Sequence, residues 1–127
     1  MIMPIIEINP VKTVKVQFAV QPVEERQTIV HCTHFSRAYH SISACPGTFL
    51  VDKLSGKRYK LLTAVNIASF PNRTSISRDG YYDFTFIFEG LDKDCLVFDL
   101  IEISSDTYPF EAFDIVRNKT DVYCVTV

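Results

Sequence analysis

The run YYDFTFIFEGLDKDCLVFDLIEI, residues 81–103, limits what this chain can fold into more than any other stretch. Strand side chains alternate between faces, so Phe84, Phe86 and Phe88 fall on one side of a sheet and Thr85, Ile87 and Glu89 on the other. A face of three phenylalanines has to be covered. The polar run Glu89-Gly90-Leu91-Asp92-Lys93-Asp94 interrupts the pattern, and Leu96, Phe98 and Leu100 resume it at period two, with Val97, Asp99 and Ile101 opposite. Two strands joined by a corner are predicted.

The alternation recurs along the chain. In residues 11–20, Val14, Val16, Phe18 and Val20 share a face and Lys15 and Gln17 the other, until Pro22 and the charges Glu24, Glu25 and Arg26 end the strand. A second strand over residues 27–35 sets Ile29, His31, Thr33 and Phe35 against Thr28, Val30, Cys32 and His34, and suits a hairpin with the first. SRAYHSISACPGT has neither strand nor helix period and contains Pro46-Gly47, so it is predicted to be a long loop. Residues 48–52 and 58–63 flank a turn in which Gly56 supplies positive φ, and they predict a hairpin. SFPNRTSISRDG is again loop, with Asp79-Gly80 turning into the phenylalanine strand. After the connector SSDTYP, residues 110–117 and 121–127 predict a last hairpin over Asn118-Lys119-Thr120.

These elements amount to seven to nine strands and no helix, a spacing that suggests an all-β antiparallel sandwich or a barrel, and of the two an antiparallel, two-layer β-sandwich is the fold expected. One domain over residues 1–127 is expected, since a chain of 127 residues is long enough to bury a core without metal or disulfides. Stacked sheets would bring Phe84, Phe86 and Phe88 against Val14, Val16 and Phe18.

Charge narrows the function. Thirteen Lys and Arg against fifteen Asp and Glu give a net charge of −2, without the positive field that draws proteins to phosphate backbones, so nucleic acid is not expected as a partner. No apolar run approaches the length of a membrane span, so no membrane is expected either. Met1-Ile2-Met3-Pro4 lacks the basic start of a signal peptide, which predicts a cytoplasmic chain, or an exported one if a leader has been removed. Cys32, Cys45, Cys95 and Cys124 are then expected as reduced, mostly buried thiols, with Cys32 and Cys124 acting as small hydrophobes in strands.

No stretch carries a catalytic or cofactor signature, so no catalytic residue, metal or cofactor is assigned. Cys32 and His34 share a strand face beside His31 and are types that zinc accepts, but no second pair of ligands is spaced to complete a tetrahedral site. Cys45 and His40, with Asp94 or Asp99 as orienter, have the residue types of a thiol nucleophile without its signature. Glu89, Asp92, Asp94 and Asp99 lack the periodicity of a calcium loop and suit a solvated turn. Lys53, Lys57, Arg58 and Lys60 suit a solvated hairpin edge. Asn72-Arg73-Thr74 and Asn118-Lys119-Thr120 match a glycosylation sequon, which has meaning only in a secreted eukaryotic chain.

Tyr39, Phe70, Tyr81, Tyr82 and Tyr108 fall in or beside loops. Aromatic rings there supply rigid contact area at modest entropic cost, and these five are the candidate binding residues. The alternative is that they cap the open ends of the core.

Two resemblances add to this reading. Leu91 followed by Asp94-x-Leu96-x-Phe98-x-Leu100 resembles the corner entering strand F of immunoglobulin-like domains, with Phe98 and Leu100 in place of the usual Tyr and Cys. FLVDKLSGKRYKLLTAVNI, then FTFIFEGLDKDCLVFDLIE, then FEAFDIVRN resembles small all-β accessory domains of Bacteroidetes-type bacteria, which often precede a thioredoxin-like domain in exported proteins. That resemblance implies a non-enzymatic sandwich that contacts something else. The expected function is a binding or adaptor domain meeting a protein partner or its own copy through an edge strand or the loop-end aromatics. A carbohydrate or small-ligand module using stacked tyrosines is the alternative, and a metal or thiol enzyme around His31, Cys32, His34 and Cys45 a third.

Overall fold

A computed structural model describes residues 26–103 and 109–127. Among the described residues there are nine strands and no helix: β1 (Thr28–Ser36), β2 (Ser41–Ile42), β3 (Phe49–Asp52), β4 (Arg58–Val65), β5 (Thr74–Ser75), β6 (Gly80–Phe88), β7 (Val97–Ile101), β8 (Glu111–Val116) and β9 (Val122–Thr126). Seven of them form one sheet in the order β9-β1-β6-β4-β3-β7-β8, and β2 and β5 form a small second ladder.

The alternation read from the sequence sets which face is buried. β1 and β6 pair antiparallel over nine residues, with Thr28 opposite Phe88, Val30 opposite Phe86 and Cys32 opposite Phe84. Phe84, Phe86 and Phe88 are all buried on one face, as predicted. The row continues through Leu50 opposite Tyr59 and Leu100, and through Phe98 opposite Ile115. The expected hairpin is β3 and β4, joined by a turn in which Gly56 has a φ of 77°.

The last two strands depart from expectation. Residues 110–117 and 121–127 do not pair over Asn118-Lys119-Thr120, because β8 and β9 lie at opposite edges of the sheet and β9 pairs parallel with β1. The sheet is therefore mixed and not wholly antiparallel. Local bonding explains the splay: Asn118 Oδ1 accepts the N–H groups of Thr120 and Asp121, while the Arg117 N–H donates to the Leu96 carbonyl. This turn closes on itself and leaves the two strands unpaired.

That connection also forces curvature. Seven strands about 4.8 Å apart place the edges of a flat sheet roughly 29 Å apart, whereas the six residue steps from Val116 to Val122 reach at most ~21 Å. The sheet has to curl until its edges approach. Phe98 of β7 accordingly meets Tyr123 of β9 edge to face, with ring centroids 5.0 Å apart, and Phe110 reaches across to Phe84 at 5.1 Å. The result is nearly a barrel.

Smaller corrections follow the same physics. Leu96 immediately precedes β7 and is exposed instead of joining Phe98 and Leu100 inside. The two segments predicted as loop each contribute a short strand, β2 and β5, whose ladder lays Ile42 and Ile76 into the core. Cys124 is exposed on β9, and does not behave as a core residue. The strand predicted over residues 11–20, with its expected contact to the phenylalanine face, lies outside the described residues. β1 has both edges taken, by β6 and β9.

Candidate functional site

At the end of the β1 and β6 ladder, Phe35 stands opposite Tyr81, and strand parity turns both rings away from the core. They meet edge to face with centroids 5.4 Å apart, yet Tyr81 remains 71% exposed and Phe35 45%. The next turn adds a third ring. Tyr39 is 93% exposed and has a φ of 67°, a left-handed conformation that costs an L-residue about 1–2 kcal/mol. Asn and Asp tolerate this region through local hydrogen bonds, and the other non-glycine positive φ values belong to Asn66, Asp114 and Asp121. Tyrosine has no such compensation.

The turn is held from both sides. The Tyr39 N–H donates to the Ile76 carbonyl at 2.8 Å, the Ile76 N–H donates to the His40 carbonyl at 3.0 Å, and the Ala38 N–H donates to Asp79 Oδ1 at 2.7 Å. Ile76 is buried, so these bonds anchor the turn to the core. Arg37, His40, Arg78 and Asp79, which adjoin this turn and the start of β6 in sequence, are exposed.

The five predicted binding residues thus separate. Tyr39 and Tyr81 lie at the same end of the barrel, on either side of the β1 terminus. Phe70 is 55% exposed but belongs to the far end of the small ladder, where its N–H donates to the Ala44 carbonyl ahead of a cis peptide to Pro71. Tyr82 points inward and packs against the core. Tyr108 lies outside the described residues. Phe35, grouped in the sequence on one strand face with Ile29, His31 and Thr33 and given no role there, joins the site. The signal for it was available in its parity with Ile29, His31 and Thr33.

The structure divides the His31-Cys32-Thr33-His34 cluster between the two faces of β1. Cys32 is buried, its Sγ faces the Val30 carbonyl at 3.7 Å, and burial pushes its thiol up to about 12. His34 shares that inward face, bonded through Nδ1 to the Val127 carbonyl and packed edge to face on Phe110. His31 is on the opposite face, bonded to Thr85 Oγ1 at 2.8 Å. Cys45 donates to the Ile103 carbonyl at 3.3 Å, and Asp99 faces Lys53 and the Asp114 N–H. Among the described residues no three His, Cys, Asp or Glu side chains gather closely enough to hold a metal ion.

The other end of the barrel is a polar clamp that the sequence reading missed. Arg117 donates from Nη1 to the Asp92 and Cys95 carbonyls and from Nε and Nη2 to both oxygens of Asp121. Tyr123 donates to Asp121 Oδ1 as well. Burial pushes the Asp121 carboxyl up, but the bonds from Arg117 and Tyr123 outweigh it and hold the group below the ordinary range. Lys57 bonds Asp92 at 2.7 Å and keeps that carboxyl low, while Arg58 lies over the Phe49 ring at 4.2 Å. In this hairpin Lys53 and Lys57 thus pair with acids and Arg58 with a ring.

Among the described residues no helix is long and apolar enough to cross a membrane. No family model, no curated protein and no solved structure matches the chain.

Proposed function

We propose that this protein is a non-enzymatic binding or adaptor domain, and that it meets a protein partner through Tyr39, Tyr81 and Phe35. The observation that carries this reading is Tyr39: a nearly fully exposed ring on a backbone conformation that disfavours its side chain. Selection for stability alone would put glycine there. The resemblance to bacterial accessory domains supports the same class.

The test is photo-cross-linking in the cells that make the protein, with a benzophenone amino acid at position 39 or 81 and, as control, at Leu54, which is also almost fully exposed but sits in the β3–β4 turn. A discrete protein adduct at 39 and 81 and none at 54 is expected. Equal labelling at all three positions would contradict the reading.

A further inference from the structure

The two edges of the sheet are built differently. β8 carries Glu111 and Asp114, its register slips against β7 between Phe98 and Leu100, and Asp114 has a φ of 58° with its N–H turned to Asp99 Oδ1. Bulges and charges of this kind deter a second strand from adding. β9 has none of them. Val122, Tyr123, Cys124, Val125 and Thr126 include no charge, proline or glycine, and the strand pairs with β1 without a register shift.

The ladder also shows which groups face outward. The Ile29 N–H donates to the Asp121 carbonyl and the Val127 N–H to the Thr33 carbonyl, so Tyr123 and Val125 turn their backbone groups to β1. Those of Val122, Cys124 and Thr126 turn to the open side. Val122 is served locally, its N–H by Thr120 Oγ1 and its carbonyl by Asn118 Nδ2. The N–H and C=O groups of Cys124 and Thr126 have no partner among the described residues.

We propose that a second copy of this chain pairs with that edge, β9 against β9, antiparallel about a twofold axis at Val125. Cys124 then faces the partner's Thr126 and Thr126 faces the partner's Cys124, which joins the open groups in four hydrogen bonds and leaves the local bonds of Val122 intact. The edge is self-complementary in this register, and no carboxylate or ammonium on β9 meets its own copy, which is why a second copy fits it better than an unrelated chain. This inference extends the binding-domain reading but uses a different surface, so the two fail separately.

Sedimentation of the full-length chain in reductant, from about 1 to 500 μM, reads the association directly. A concentration-dependent dimer is expected. Thr126→Pro removes an outward N–H without touching the β1 ladder and is predicted to weaken the dimer about tenfold or more. Cys124→Lys puts a charge on the edge and gives the same result if the proline variant misfolds. Tyr39→Ser leaves the dimer unchanged while reducing cross-linking at position 81. A monomer throughout the range, including one whose β9 edge is covered by residues 1–25 of the same chain, would overturn the proposal. So would a dimer indifferent to both edge variants, or one abolished only by Tyr81→Ser.

Discussion

Arg117 holds Asp121 through two bonds, Nε to Oδ1 at 2.6 Å and Nη2 to Oδ2 at 3.1 Å, and the carboxylate is almost completely buried. The same guanidinium bonds the carbonyls of Asp92 and Cys95. One side chain thereby ties the corner after β6 to the start of β9 and holds the curled sheet at that end. Asp121→Asn leaves the Arg117 charge half-buried without its counter-charge. A loss of about 3 kcal/mol is predicted, measured by denaturant unfolding.

The pH dependence follows from the same carboxylates. Asp121, and Asp52 through the Leu54 N–H, are held below their ordinary values in the folded chain. A depressed carboxylate contributes stability that is complete above the unfolded value, near 4, and is lost as pH falls through the folded value. Stability is predicted to be level from neutral pH to about 5 and to fall below about 4, with a shallower fall in Asp121→Asn. A protein whose stability already drops between pH 7 and 5 would contradict this assignment.

The core was legible in the sequence where parity alone decides burial. Phe84, Phe86, Phe88, Phe98 and Leu100 were placed correctly because a period of two admits one arrangement. The partner of β9 was not legible. A short turn between two strands reads as a hairpin, and only the side-chain bonds of Arg117 and Asn118 show that these strands part. Of the site, Tyr39 and Tyr81 were found from their loop positions. Their company with Phe35 depends on the β1–β6 register, and the left-handed backbone at Tyr39 depends on bonds to Ile76, which lies 37 residues away (76 − 39). Local sequence does not encode either.

Gly90 is the glycine most closely packed by the fold. A Cβ there would run into the Arg26 carbonyl, whereas one at Gly80 would meet nothing. Gly90→Ala is predicted to destabilise by ~1–3 kcal/mol through displaced backbone. Gly80→Ala serves as the control and should stay within about 0.5 kcal/mol of wild type. Thermal midpoints of the two variants measured side by side check the contrast.

The four thiols should report the fold by their reactivity. Burial holds Cys32 up at about 12 and Cys95 at about 11, Cys45 is partly covered, and Cys124 is open on β9. A disulfide-exchange reagent at pH 8 should modify Cys124 first and Cys45 more slowly, and should reach Cys32 and Cys95 only on unfolding. Rapid modification of all four in the native state would contradict the packing.

The ring of Tyr39 and the backbone beneath it are opposed, and separating them tests the displayed aromatic end most directly. Tyr39→Gly relieves the left-handed strain of φ 67° and removes the ring, while Tyr39→Phe keeps both. The glycine variant is predicted to melt about 3–5 °C higher, a gain near 1 kcal/mol. Its cross-linking from position 81 should fall about tenfold, the equivalent of ~1.4 kcal/mol of binding. Undiminished cross-linking, or a lower melting temperature in Tyr39→Gly, would contradict the claim that Tyr39 is displayed for a partner.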